Sequence, residues 1–247
     1  MIPRTSGFLL AVALAPVLGC HPTAAPTTAT PAVPAAPAAL NTLTADEQAQ
    51  GWRLLFDGKS TTGWRAYRAD SMPAGWQVVD GALTRVGRAG DILTREQFAN
   101  FELTLDWKIA EGGNSGIMYR VSEDDDADYW SGPEMQVLDD ERHADAHSRL
   151  TAAGSDYGIY PSPAGVVNPA GTWNRVRIVV NRNHVEHWLN GLKVVEYELG
   201  SDDWTERVAA SKLAPHPHYG RNKSGYIALQ DHGDWVAYRN IKIRVLP

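Results

Sequence analysis

Residues 101–109 read FELTLDWKI. Phe101, Leu103, Leu105, Trp107 and Ile109 fall on one side of an extended chain, and Glu102, Thr104, Asp106 and Lys108 on the other. A period of two with one apolar and one polar face predicts a half-buried antiparallel strand. The same period recurs in WNRVRIVV (173–180), where Val176, Ile178 and Val180 oppose Arg175 and Arg177. HVEHWLNGLKVVEYEL (184–199) predicts a hairpin, because Asn190-Gly191 suits a type I′ turn with positive φ at both central residues. GYIALQDHG (225–233) and WVAYRNIKIRVL (235–246) predict a closing strand pair joined at Gly233-Asp234. Shorter strands are expected at 52–56, 76–79, 82–85, 91–94 and 117–121. Helical signals are confined to TADEQAQ (44–50), where Thr44 and Glu47 make a capping-box pattern, and to a short segment near 202–212. Some ten to twelve strands with loop-length connections predict an all-β sandwich or jelly roll of two antiparallel sheets.

The chain has 247 residues and a net charge of −6, which gives no support for binding nucleic acid. Nine Trp and nine Tyr stand against four Phe. Such side chains offer flat faces with a polar edge that suit sugars, although most are expected in the core. At the N-terminus, Arg4 precedes GFLLAVALAPVLG (7–19), too short to span a bilayer as a mature helix. Cys20, the only cysteine, follows directly. Residues 1–20 resemble a bacterial lipoprotein signal acylated at Cys20, with Leu18 where a small residue is commoner; an ordinary secretory signal is the alternative. Residues 21–42 are rich in Pro, Ala and Thr and are expected to form a disordered tether, leaving 43–247 as one β-sandwich domain. The expected location is the bacterial periplasm or cell envelope, with membrane contact only through the lipid anchor, or else secretion.

In a sandwich, each sheet buries one face and exposes the other. Burying Ile227 and Leu229 sends Gln230 and His232 outward; burying Met135 and Val137 sends Glu134, Gln136 and Leu138 outward; burying Ile117, Tyr119 and Val121 sends Met118 and Arg120 outward. If these strands share a sheet, its outer face gathers Arg120, Glu134, Gln136, Gln230 and His232, flanked by loops carrying Tyr129, Trp130, His143, His147, Tyr157, Tyr160 and Trp235. The competing reading is an ordinary solvated face. Asp124, Asp126 and Asp128 have calcium-loop spacing, but Tyr129 replaces the required glycine and Met135 the twelfth-position glutamate. His143 and His147 lack the glutamate of a zinc helix, and no P-loop, dinucleotide fingerprint or nucleophile elbow is present.

GWRLLFDGKSTTGWRAY (51–67), NSGIMYRV (114–121), PEMQVLDDERHAD (133–145), GTWNRVRIVV (171–180), VEHWLNGLKVVEYE (185–198) and SGYIALQDHGDWVAYRNIKI (224–243) follow in order the signature segments of the 3-keto-disaccharide hydrolase family. The resemblance covers about 50–247. It implies a concanavalin A-like jelly roll with a sugar site on the concave face, and a substrate already oxidised at C3 of the sugar. Related two-carboxylate glycosidases of this fold use an E-x-D-x-E strand. Here that strand reads Glu134-Met135-Gln136-Val137-Leu138-Asp139, with Gln and Leu where carboxylates would stand. An unactivated glycoside needs two carboxyl groups astride the bond.

A 3-keto substrate removes that need. The ketone acidifies the C2 proton, one base takes it, and the aglycone leaves C1 by β-elimination; water then adds to the enone. The expectation is therefore Glu134 as base, Arg120 or His232 facing the enolate oxygen, and His143 protonating the leaving group, with these last three interchangeable. Asn114, Gln136, Asp139, Tyr157, His187 and Gln230 are the expected substrate-binding residues. No cofactor is required; a divalent metal such as calcium, held by Glu134, Asp139 and a histidine, stays open. Two alternatives remain: a carbohydrate-binding module without catalysis, and a conventional glycosidase using Glu134 and Asp139.

Overall fold

The computed structural model describes Met1 and residues 39–247; the expected signal segment, Cys20 and nearly all of the tether lie outside the described residues. Ordered packing is already present at Asn41, whose backbone N–H donates to Asn240 Oδ1 while its own Oδ1 accepts from the Asn240 N–H. The Thr44 capping box forms and starts α1 (Ala45–Ala49), and Ser201 caps α2 (Asp202–Ala209).

Thirteen strands follow among the described residues: β1 (Trp52–Leu54), β2 (Trp64–Ala66), β3 (Trp76–Val79), β4 (Ala82–Arg85), β5 (Ile92–Thr94), β6 (Phe101–Ile109), β7 (Asn114–Val121), β8 (Glu134–Leu138), β9 (Asn174–Asn181), β10 (His184–Leu189), β11 (Leu192–Glu198), β12 (Tyr226–Leu229) and β13 (Val236–Val245). The larger sheet has the order β11-β10-β9-β6-β13-β4-β3, with β1 also paired to β13; the smaller has the order β2-β5-β12-β7-β8. The β10–β11 turn has φ of 51° at Asn190 and 87° at Gly191, as its type I′ geometry demands.

FELTLDWKI behaves as its alternation predicts, with Phe101, Leu103, Leu105, Trp107 and Ile109 all in the core. Glu102 is the exception on the polar side: it is buried beneath ion pairs from Arg177 and Arg244. Between the sheets lie Phe101, Trp107, Ile117, Tyr119, Met135, Val137, Ile178, Leu229 and Tyr238, among others. Each such large side chain contributes about 1.5–3 kcal/mol by leaving water.

Three expectations change. The segments 225–233 and 235–246 do not pair: β12 joins β5 and β7 in the small sheet, and β13 joins β1, β4 and β6 in the large one. The turn at Gly233-Asp234 therefore crosses between sheets. The phase of β7 also breaks. Its register against β12 shifts between Tyr226 and Ala228, and Arg120 takes a left-handed φ of 53°. This bulge places Val121 with Met118, Leu93 and Ala228 in a second apolar cluster, instead of in the main core. Gly225 is required there, since a Cβ would overlap the Arg120 backbone. Finally, Leu138 is fully buried in the main core, where the loop after β8 folds back with Ala146 packed on the cluster.

Candidate active site

The register of the small sheet sets two rows of side chains on its outer face. Leu93, Ala228, Met118 and Glu134 are successive cross-strand partners from β5 to β8. In the next row the Gln230 N–H donates to Gly116 O, and Gly116 pairs with Gln136. Glu134 leans from the apolar row into the polar one. Its carboxyl lies directly over Gly116, and a Cβ on that residue would overlap Oε1. Gly116 is thus the space in which Glu134 stands.

β8 is not an open edge. The Gln136 N–H donates to Ser155 O, the Gly154 N–H to Gln136 O, and the Tyr157 N–H to Glu134 O, so residues 154–157 run along it as a further rung. A cavity of 240 Å³ opens above the two rows. Asn114, Glu134, Gln136, Gln230 and His232 line it from the sheet side, and Tyr129 and Gly132 from the loop after β7. Tyr157 comes from the segment beside β8, and Lys212, Leu213 and Tyr219 from the segment between α2 and β12.

Glu134 is buried, and among the described residues no protein donor hydrogen-bonds its carboxyl. Burial pushes its pKa up to about 8; Asp91, Asp156 and Asp145 add to the rise, and Lys212 opposes it. A carboxyl in this condition is a good proton acceptor near neutral pH once it ionises. Asn114 Oδ1 and Gln230 Oε1 are buried acceptors without protein partners, suited to sugar hydroxyl donors. Gln136 has less to offer a ligand: its Nε2 donates to Thr151 O, and its Oε1 accepts from the Val137 N–H.

His232 lines the cavity on a loop that Asp231 fixes. The Asp231 carboxylate accepts from Arg85 Nε at 2.6 Å and from the N–H groups of Ala89, Gly90 and Gly233. His143 stands beside His232, with ring centroids 6.2 Å apart. Its Nδ1 accepts from the Asp145 N–H at 3.1 Å, so a neutral ring carries its proton on Nε2.

Four expected site residues lie elsewhere. Arg120 donates to the carbonyls of Ala99 and Arg182 at 2.7 Å, because the bulge turns it off the outer face towards the rim of the large sheet. His187 is fully buried in the core; its Nδ1–H donates to Gly154 O, so Nε2 accepts from Tyr119 OH at 2.9 Å, and burial pushes its pKa down to about 4. Asp139 spends its oxygens on the N–H groups of Gly112 and Glu141, holding the turn after β8, and is not among the residues lining the cavity with Glu134. His143 is at the rim and outside the lining.

The sequence reading missed other groups. Asp128, whose calcium-loop spacing led nowhere, is fully buried, whereas Asp125 and Asp126 turn to His218 and Arg68. Its carboxyl meets that of Asp91, whose Oδ1 accepts from the Asp231 N–H. Burial raises both, and the Asp91 charge adds to the rise at Asp128. Asp156 is buried behind Glu134, and its pKa is pushed up to about 8 by burial. Among the described residues no Trp lines the cavity; its aromatic walls are Tyr129, Tyr157 and Tyr219. Asp91 could have been found by pairing 91–94 beside 226–229, but the cavity wall at 212–219 has no periodicity that marks it.

The profile of the 3-keto-alpha-glucoside-1,2-lyase-like domain matches residues 51–244. A 3-keto-disaccharide hydrolase of Bacteroides thetaiotaomicron is 35% identical over 241 residues, covering 84% of this chain and 82% of that one. The crystal structure of a candidate glycosyl hydrolase from Parabacteroides distasonis superposes with a TM-score of 0.80 at 37% identity, covering 85% of this chain and all of that one. A Bacillus subtilis protein with a galectin-like fold, 16% identical with a TM-score of 0.50, covers 75% of this chain and 92% of its own and shares the fold alone. With the profile spanning nearly all of the sandwich, the chain belongs to the 3-keto-α-glucoside-1,2-lyase-like family.

Proposed function

We propose that this protein cleaves 3-keto-glycosides by β-elimination followed by hydration. Glu134 removes the C2 proton, and the C2–H pair moves into a C2=C3 bond while the C3 carbonyl becomes an enolate. The enolate collapses, C1=C2 forms, and the C1–O bond to the aglycone breaks. His232, at the cavity lining beside His143, gives the leaving oxygen its proton. Water then adds at C1 and gives a proton back to His232, while Glu134, its own proton exchanged with solvent after the aglycone leaves, protonates C2. Asn114 and Gln230 accept from the sugar hydroxyls.

The observation that carries this reading is a buried Glu134 carboxyl with no protein donor, poised near pH 8 inside a cavity. A non-catalytic binding module gains nothing from such a group, since its burial costs stability. The family membership and the names of the relatives support the substrate class. We further propose that the mature protein acts in the bacterial envelope, tethered through Cys20.

The other reading is a conventional glycosidase, which needs a second carboxyl astride the bond; the Asp91–Asp128 pair is near enough to act on the Glu134 charge but lies outside the cavity lining. Incubation with a 3-keto glucoside and with its unoxidised parent separates the two. Aglycone release from the keto form alone is expected; release from both would show ordinary hydrolysis, and release from neither would end the enzyme reading. Glu134→Gln should cost at least about a hundredfold in kcat.

A further inference from the structure

We propose that Lys212 is a catalytic residue: its ammonium faces O3 of the 3-keto sugar and takes up the negative charge that forms there as the C2 proton leaves. The assignment rests on the elimination reading above. That reaction needs a cation or strong donor at the enolate oxygen; of the two residues expected there, Arg120 is spent on backbone carbonyls and His232 serves the leaving oxygen in the reading above.

Lys212 lines the same cavity as Glu134. Its Nζ donates to Tyr157 OH at 3.1 Å and lies 4.2 Å from the centre of the Tyr157 ring. Lys193 and Lys242 are both occupied by carboxylates, whereas the Lys212 ammonium meets the Tyr157 hydroxyl and keeps further N–H donors for a ligand. The backbone beneath it is anchored. Leu213 and Tyr219 are buried, the Tyr219 ring stacks on Trp204 of α2 at 6.0 Å, and the His216 N–H donates to Leu213 O. A charged tip on a fixed base can respond to charge formed in the transition state with little rearrangement.

No additional reactant is involved. The enolate forms when the C2–H pair enters C2=C3 and the C3=O π pair moves onto O3. Lys212 stabilises that oxygen without giving up its proton, and the charge passes on to the departing aglycone oxygen. The same ammonium has a second effect, because it is the charge that opposes the rise of the Glu134 pKa. Removing it should make Glu134 harder to ionise.

The test compares wild type, Lys212→Met and Lys212→Arg in turnover of a 3-keto glucoside across pH. Lys212→Met should lose about a hundredfold in kcat with KM changed only a few-fold, and its ascending pH limb should move to higher pH; Lys212→Arg should keep the wild-type limb and most of the rate. Near-wild-type kcat in Lys212→Met, or equal losses in both variants with the limb unmoved, would overturn the assignment and leave Lys212 a wall residue. If wild type releases nothing from the 3-keto glucoside, the elimination reading itself fails, a result distinct from any of these.

Discussion

Glu134 occupies a position that folding disfavours. Its pKa is about 8 in the folded chain against 4.5 for the free side chain, so the folded state binds its proton more tightly than the unfolded state does. The penalty is absent below pH 4.5, grows as pH rises, and is complete above about 8. Glu134→Gln should therefore melt several degrees higher than wild type at pH 9, with the gap closing by pH 4. Thermal melts at the two pH values check this, and equal melting points at pH 9 would contradict the burial. Glu134, Gln136, Gln230 and His232 were legible as outward residues from alternation alone, because period-two patterning survives wherever a strand runs unbroken. The raised pKa was not legible, since it depends first on burial by distant segments and then on Asp91, Asp145 and Asp156, which are far from Glu134 in the strand pattern.

Among the elements, β7 shows where patterning fails. One bulge at Arg120 reverses the phase beyond it, which takes Arg120 out of the site and brings Val121 onto the outer face. The only hint in the sequence is Gly225, whose bare backbone the bulge requires. Arg120 then serves the fold, bridging the small sheet to the carbonyls of Ala99 and Arg182. Arg120→Met should cost about 2–4 kcal/mol of stability, because two acceptors lose their donor. Its kcat and KM should remain close to wild type at a temperature where it is folded. A large fall in kcat with unchanged stability would return Arg120 to the site. The segment of residues 154–157 has the opposite lesson: too short and irregular to read as a strand, it still completes β8 and sets Tyr157 at the cavity.

At the scale of the molecule, two antiparallel sheets and their contents followed from alternating segments such as FELTLDWKI, because an all-β chain must bury one face of each sheet. What alternation could not reveal was the assignment of β12 and β13 to different sheets, or the wall built by residues 212–219. Both depend on long-range closure instead of local period. The sandwich supplies a rigid floor, and the loops supply Lys212, Tyr157 and the Asp91–Asp128 pair around one buried carboxyl. The proposed elimination asks for one carboxylate on the strand of Glu134, because the ketone of its substrate supplies the activation. Elimination and direct hydrolysis then differ at one atom. Turnover of a 3-keto glucoside in D₂O, with the released 3-keto sugar examined at early times before spontaneous exchange, should place one deuterium at C2. A product that retains protium at C2 would contradict proton abstraction by Glu134.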